Sequence, residues 1–133
     1  MTKEQTNVLI DYILNEPNLK EKYEEVTISS ELVQSFRKKF VDGGEIIVIT
    51  ASWCADCTEL VPKFGKILVY LPEWNITLLN RDTLSYEDRI KYNVQRIPTF
   101  IFFNHNKREI GRIVEQPKFG SLEEDMLVFN DKE

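Results

Sequence analysis

Runs of consecutive apolar residues predict two central strands, over residues 45–50 and 100–103. Both runs are apolar on each alternation, which is typical of strands that are covered on both faces. A shorter strand is predicted at 76–79. A polar turn over 104–107 connects the second central strand to a last strand at 109–114, so these two strands are expected to form a hairpin.

Apolar residues spaced three and four apart predict helices between the strands. The longest begins at Cys57 and carries its apolar stripe from Leu60 to Leu71, with Pro62 as the expected site of a kink. Serine N-caps open three more helices. The caps and inward-facing residues are Ser29 or Ser30 with Leu32, Val33, Phe36 and Phe40; Ser85, for a helix that reaches about Tyr92; and Ser121 with Leu122, Met126 and Phe129.

The N-terminal part of the chain predicts one more helix, over residues 3–15. Its apolar face consists of Val8, Leu9, Tyr12 and Ile13. Pro17 is expected to end this helix. Residues 20–25 are mostly charged and are interpreted as a linker, and residues 26–28 are predicted to form a brief strand.

Composition is that of an ordinary globular protein. A length of 133 residues suits about one domain, and a net charge of −5 argues against nucleic-acid binding. The N-terminus lacks a signal-peptide pattern, and no stretch approaches the roughly eighteen apolar residues of a membrane span. We therefore expect a cytoplasmic protein that binds neither nucleic acid nor membrane.

The only two cysteines, Cys54 and Cys57, stand three residues apart where a strand gives way to a helix. Residues at i and i+3 of a helix share a face, so the two sulfurs can approach within bonding distance. The free N–H groups and the dipole of the helix favour a thiolate, which makes Cys54 the candidate nucleophile and Cys57 the candidate resolving cysteine. Half of a zinc site is the alternative, but zinc takes four ligands and His105 is the only histidine, so redox chemistry is favoured.

The combination of motifs resembles the thioredoxin superfamily from about Tyr23 to the C-terminus. Residues 53–57, Trp-Cys-Ala-Asp-Cys, match the family's Trp-Cys-x-x-Cys, and Pro62 follows the second cysteine at the spacing of the family's helix-kinking proline. Residues 97–99 match the family's Ile-Pro-Thr, whose proline is cis and faces the active-site sulfurs. Gly111 on the last strand fits the same pattern.

The resemblance implies a thioredoxin-like α/β fold, with a central mixed sheet of four to five strands flanked by helices on both faces. It also implies a thioredoxin-like domain over residues 23–133, preceded by an N-terminal helical extension over 1–22. The sequence departs from the family pattern at its buried aspartate, which is replaced by Val48, and at a lysine on the next strand, which is replaced by Leu78 or Leu79.

The resemblance further implies a thiol–disulfide oxidoreductase that reduces protein or small-molecule disulfides through Cys54 and Cys57. No bound cofactor or metal is expected beyond the redox-active Cys54–Cys57 disulfide. The expected partners are disulfide-containing protein substrates and a thioredoxin-reductase-like electron donor. The missing aspartate and lysine leave an alternative open, a thioredoxin-fold binding or adaptor module with little redox turnover.

Five residues around the cysteines are assigned roles by the same resemblance. Trp53, Ile97 and Pro98 are expected to line an apolar substrate groove, and Arg96 adds a cation beside it. Asp56, between the cysteines, is a candidate catalytic residue that either repels the attacking thiolate or transfers a proton from the resolving thiol. Its alternative role is to stabilise the first turn of the helix.

Overall fold

Six helices and four strands make up residues 7–130, the part of the chain that this computed structural model describes. The helices are α1 (Val8–Leu14), α2 (Pro17–Glu25), α3 (Ser30–Phe40), α4 (Ala55–Leu68), α5 (Tyr86–Lys91) and α6 (Leu122–Leu127). The strands are β1 (Gly44–Thr50), β2 (Trp74–Asn80), β3 (Thr99–Phe103) and β4 (Glu109–Val114). A 3₁₀ turn, Arg81–Thr83, follows β2.

The four strands form one mixed sheet in the order β2–β1–β3–β4. β1 pairs parallel with β2 and antiparallel with β3, and β3 with β4 is the predicted hairpin. Ile46 and Val48 of β1 belong to one core, and Ile47 and Ile49 belong to the core on the opposite face. Burial on both faces explains why β1 is apolar at consecutive positions. The predicted thioredoxin-like α/β fold is confirmed.

Helices cover both faces of this sheet. The larger core contains residues of α1, α2, α3, α4 and α6, and its centre is a cluster of aromatic rings. Phe102 of β3 lies 5.5 Å from Phe40, 5.9 Å from Phe64 and 5.3 Å from Trp74, measured between ring centroids. The smaller core on the other face is closed by the segment 84–94, which contains α5.

The three predicted serine caps are confirmed. The Oγ atoms of Ser29, Ser85 and Ser121 accept hydrogen bonds from backbone N–H groups three residues further on, at 3.2, 3.0 and 3.1 Å. Each cap satisfies one of the N–H groups that a helix leaves unpaired at its start. None of the described helices has the length and hydropathy needed to cross a membrane.

The first helix agrees with its prediction only in part. Residues 3–6 of the predicted helix lie outside the described residues. The helix α1 begins after Asn7, whose side-chain oxygen accepts hydrogen bonds from the backbone N–H groups of Leu9 and Ile10 at 2.9 and 3.0 Å. Leu9 and Ile13 face the core, but Val8 is 49% exposed and Ile10 is buried instead. The buried stripe of α1 is centred on Leu9, Ile10 and Ile13, so Val8 lies at its edge.

Residues 20–25 are not a linker, because they belong to α2. This helix begins at Pro17, which occupies a first-turn position where its missing N–H costs nothing. Leu19 and Tyr23, one turn apart, are its buried residues and pack into the larger core. Lys66 of α4 lies over the Tyr23 ring at 4.0 Å. Five of the other seven residues of α2 are charged, which is why composition alone does not reveal its short apolar stripe.

The strand predicted at 26–28 is also wrong. The sheet formed by the described residues has no strand in this segment. Ile28 is half-buried against the larger core, so its apolar character reflects packing rather than sheet formation.

Gly65 allows α1 to lie close against α4. A Cβ atom at Gly65 would overlap Cδ1 of Ile13, whereas the next nearest atom, Cε1 of Tyr23, would lie at 3.7 Å. The absence of a side chain at this position therefore fits Ile13 into the surface of α4. This contact brings α1 beside the helix that carries the cysteines.

Candidate active site

Cys54 lies at the junction of β1 and α4 and is the N-cap of the helix. Its backbone is extended, with φ −90° and ψ 120°, and its Sγ accepts a hydrogen bond from the backbone N–H of Cys57 at 3.2 Å. A capping side chain satisfies one of the free donors of the first turn, so α4 starts at Ala55, two residues earlier than predicted. The sulfur of Cys54 therefore lies at the positive end of the helix dipole.

Cys57 lies one turn deeper, with only 2% of its surface exposed against 8% for Cys54. Both residues are free thiols. Burial is the main cause that raises the pKa of Cys57, to about 12, and its contact with Cys54 adds to this. The hydroxyl of Thr50 and the backbone of Ala51 act in the opposite direction. At neutral pH Cys57 is therefore protonated.

Trp53, next to Cys54, is held by a contact from another part of the chain. Its indole Nε1 donates to both carboxylate oxygens of Asp82, in the 3₁₀ turn that follows β2. The ring is nevertheless 65% exposed. The residue that precedes the first cysteine is thus a flat apolar surface with a fixed orientation.

The Ile97–Pro98 segment lies opposite Cys54. The peptide bond between the two residues is cis, as the resemblance implies. Sγ of Cys54 lies 3.8 Å from the carbonyl oxygen of Ile97. Pro98 is buried, and its carbonyl accepts from the backbone N–H of Glu115 at 2.7 Å. The segment is therefore fixed against the start of the loop that follows β4.

Arg96 and Asp56 both have partners in that loop. The guanidinium of Arg96 lies 3.6 Å from the carboxylate of Glu115. The carboxylate of Asp56 accepts a hydrogen bond from the side-chain amide of Gln116 at 2.7 Å. The carboxylate of Asp56 is therefore held towards the loop that follows β4.

An open groove of about 370 Å³ joins these residues. Its walls contain five of the seven predicted site residues, namely Trp53, Cys54, Asp56, Arg96 and Ile97. The other two are not part of its lining: Cys57 lies behind Cys54, and Pro98 is buried. The structure therefore brings the predicted residues together but presents only one sulfur to the groove.

Sequence reasoning missed several residues of this site. Glu115 and Gln116 lie in a loop without a motif, and Thr50 looks like an ordinary strand residue, so no local pattern identifies them. Asp82 had a signal. It follows β2 directly, and the carboxyl ends of the parallel strands β1 and β2 lie at the same edge of the sheet, where Cys54 is found.

The described residues contain no group of three or more His, Cys, Asp or Glu side chains arranged to hold a metal ion. His105 pairs instead with the backbone carbonyl of Asp42, in the turn before β1. That turn lies at the amino end of the strand whose carboxyl end leads to the cysteines.

Fold and site together define a class: thioredoxin-fold proteins with a Cys-x-x-Cys pair at the start of the helix that follows a central strand. The family model described as "Thioredoxin" matches residues 2–125. The chain belongs to the thioredoxin family. Membership and the paired thiols support a thioredoxin-type redox function. The matched residues include α1 and α2, and the division into residues 1–22 and 23–133 stays a prediction.

Relatives with similar sequences are themselves thioredoxins. Thioredoxin of Mycoplasmoides gallisepticum is 32% identical over 95 residues, which are 70% of this chain and 89% of that protein. Thioredoxin H-type of Fagopyrum esculentum is 30% identical over 92 residues, 65% of this chain and 78% of that protein. Thioredoxin H-type of Oryza sativa subsp. indica is 35% identical over 66 residues, 48% of this chain. The chain spans only 53% of the length of this rice relative.

Solved structures resemble the chain in fold. A Pseudomonas aeruginosa protein of unknown function superposes with a TM-score of 0.67 at 14% identity, over 86% of this chain and 80% of that chain. An HIV epitope scaffold superposes with a TM-score of 0.60 at 18% identity, over 74% of this chain and 61% of that chain. At these identities the likeness shows the fold alone.

Proposed function

We propose that the protein is a thiol–disulfide oxidoreductase that reduces disulfides in protein substrates. The observation that carries the proposal is the unequal placement of two free thiols. Cys54 faces the groove and accepts a hydrogen bond at the start of α4, whereas Cys57 is buried behind it as a protonated thiol. This unequal placement supports Cys54 as the attacking cysteine and Cys57 as the resolving one.

The reaction has two exchange steps. The Cys54 thiolate attacks one sulfur of the substrate disulfide, which forms a Cys54–substrate disulfide and releases the other sulfur as a thiolate that takes up a proton. Cys57 then loses its proton and attacks Sγ of Cys54. This forms the Cys54–Cys57 disulfide and releases the second substrate sulfur. The substrate disulfide gains two electrons, and the dithiol loses two.

The groove supports an extended peptide segment as the substrate. Trp53 and Ile97 both offer apolar surface in the groove that Cys54 faces. Arg96 with Glu115 and Asp56 with Gln116 give the rim charges of both signs, which suits a polypeptide better than a strongly charged small molecule. We assign Arg96 and Asp56 to substrate contact.

The electrons come from a separate protein. The chain has no Gly-rich fingerprint for a nicotinamide or flavin, so the Cys54–Cys57 disulfide needs an external reductant. A thioredoxin-reductase-like flavoprotein is the donor we propose, in a reducing cytoplasm that returns the pair to its thiol state.

The experiment that tests the function is reduction of insulin by dithiothreitol, followed by turbidity. The wild type is expected to shorten the delay before precipitation, and Cys54→Ser is expected to behave as buffer does. A wild type no better than buffer would favour the binding module. Equilibration of the protein with glutathione would then give the reduction potential and hence the direction of electron flow.

A further inference from the structure

A small cavity lies against Cys57 and shares no lining residue with the substrate groove. Its volume is about 30 Å³, more than the roughly 10–15 Å³ that one water molecule needs. Six oxygen-bearing side chains contribute to its walls, those of Tyr12, Glu16, Asn18, Thr50, Ser52 and Thr58. The cavity is therefore polar as well as large enough for water.

Thr50 is the last residue of β1 and points a buried hydroxyl at this space. It is only 3% exposed, and its Oγ1 has no hydrogen-bond partner of standard geometry among the described residues. The hydroxyl nevertheless lies close enough to Cys57 to lower the pKa of that thiol in part. A buried hydroxyl without a protein partner destabilises a fold unless a water satisfies it, and the adjoining cavity has room for one.

Tyr12 brings a second hydroxyl from α1. Tyr12, Glu16 and Cys57 line the same cavity. Burial raises the pKa of Tyr12, and the negative charges of Glu16 and of a Cys57 thiolate raise it further. Its phenol stays neutral and can donate. Tyr12 and Thr50 also border a second cavity, of about 190 Å³, beside the end of β2.

The strand positions where the resemblance implies an aspartate and a lysine carry apolar residues in this chain. Val48, where the resemblance implies an aspartate, pairs with Leu78 on β2, and both side chains are apolar. Nearby charged residues of α2 and α4 are engaged elsewhere: Lys22 pairs with Glu59, Lys66 lies over a tyrosine ring, and Asp56 accepts from Gln116 in the loop after β4. Among the described residues that line the cavity, Glu16 carries the only carboxylate.

We propose that this cavity is the proton exit of the resolving cysteine. A water molecule held by the hydroxyls of Thr50 and Tyr12 takes the proton of Cys57 and passes it towards the exposed carboxylate of Glu16. The S–H bond of Cys57 breaks, its electron pair forms the bond to Cys54, and the Cys54–substrate bond breaks with its pair on the leaving sulfur. Thr50 lies beside the reacting thiol and is the catalytic residue; Tyr12 is a positioning residue.

This inference rests on the proposed function, and an aromatic disulfide separates the two. Reduced protein is mixed with dithiobis(nitrobenzoic acid) in a stopped-flow instrument. Attack by Cys54 releases one coloured thiol, and resolution by Cys57 releases the second. The two phases report the two exchange steps separately, over a range of pH.

Thr50→Val removes the hydroxyl and keeps the shape of the side chain. We expect its second phase to slow by at least about tenfold at neutral pH, the effect of losing a hydrogen bond to a charged group, and to recover only at higher pH. Thr50→Ser restores the hydroxyl and is expected to restore the rate. Tyr12→Phe is expected to slow the second phase by a smaller factor. The first phase stays within about twofold of wild type, since Cys54 does not line the cavity.

Thermal melting of the reduced proteins checks that each variant folds. Thr50→Val is expected to stay folded and to melt close to wild type, because it keeps the shape of the side chain and gives up only the contacts of the hydroxyl with Cys57 and the proposed water. Should wild type release no second thiol, the proposed function fails and this inference fails with it. Should wild type show both phases while Thr50→Val and Tyr12→Phe resolve at its rate, only the inference is overturned. A slow second phase in Asp56→Asn but not in Thr50→Val would also overturn it, in favour of a route through the groove.

Discussion

The indole nitrogen of Trp53 donates to both carboxylate oxygens of Asp82, at 2.9 and 3.0 Å. This contact joins the residue before Cys54 to the turn that follows the neighbouring strand. An exposed tryptophan without such a partner samples several rotamers, and ordering it on binding costs conformational entropy. Asp82 therefore fixes the orientation of one wall of the groove.

We expect Asp82→Ala to lower kcat/KM for a protein disulfide by about fivefold, since it removes a charge-assisted hydrogen bond at a surface site. Asp82→Asn keeps one acceptor oxygen and is the matched control, with a smaller loss. Insulin reduction at substrate concentrations below KM measures both. Equal activity of Asp82→Ala and wild type would show that the orientation of Trp53 does not matter for the substrate.

Replacement of Cys57 with Ser is expected to leave the first attack intact and to stop the release of substrate. Mixed disulfides between Cys54 and its substrates then accumulate to near completion, because the only nearby thiol that could resolve them is gone. Non-reducing gels reveal these adducts after incubation with insulin whose disulfides are intact. If Cys54→Ser traps the substrate and Cys57→Ser does not, the assignment of the two sulfurs is reversed.

The buried thiol of Cys57 predicts how the stability of the reduced protein depends on pH. Its pKa is about 12 in the folded chain and about 8.5 in an unfolded one, so the folded state holds the proton more tightly. That contribution is present in full below the unfolded pKa and is lost as the pH rises towards the folded value. Between about pH 9 and 11, the free energy of unfolding of wild type should fall faster than that of Cys57→Ser, by at most about 1.4 kcal/mol per pH unit.

Urea denaturation under a strong reductant measures these slopes. The subtraction of Cys57→Ser removes the titration of the tyrosines and lysines that both proteins share. Identical slopes would mean that Cys57 ionises in the folded protein as it does in the unfolded chain.

The close contact between α1 and α4 predicts that the effect of Gly65→Ala on the free energy of unfolding changes sign when Ile13 is shortened. Gly65→Ala alone should destabilise the protein by about 1–3 kcal/mol, because the new Cβ overlaps Cδ1 of Ile13. Ile13→Val removes that methyl group. In this background Gly65→Ala should instead stabilise the fold by up to about 1 kcal/mol, the advantage of alanine over glycine inside a helix.

Chemical denaturation of the four proteins completes the cycle. A cost of Gly65→Ala that stays the same in both backgrounds would show that Ile13 is not the residue that limits space at this position.

Much of the fold follows from the sequence because the sheet is buried on both faces. β1 and β3 carry apolar residues at consecutive positions, a pattern that few other structures require, and the serine caps mark where helices start. α2 escaped prediction because it buries only Leu19 and Tyr23 among charged neighbours, and its stability depends on α4 rather than on its own pattern. Tertiary packing, which is not encoded locally, decides such a helix.

The candidate site also contains residues that the sequence predicts and residues that it does not. Cys54, Cys57 and Ile97–Pro98 belong to short motifs, so a single sequence identifies them. Contacts such as Trp53 with Asp82 join segments about thirty residues apart, and their partners are known only once the strands are in register. A motif therefore predicts the two cysteines of the candidate site but not the side chains from other segments that complete it.

The close fit of Gly65 against Ile13 also has an evolutionary consequence. Two positions more than fifty residues apart in sequence share one space, so neither can drift freely. A lineage that acquires a larger residue at one position must shrink the other, or lose the docking of the first helix beside the cysteines. Descendants of this chain should therefore inherit a small residue in α4 together with α1, or neither of them.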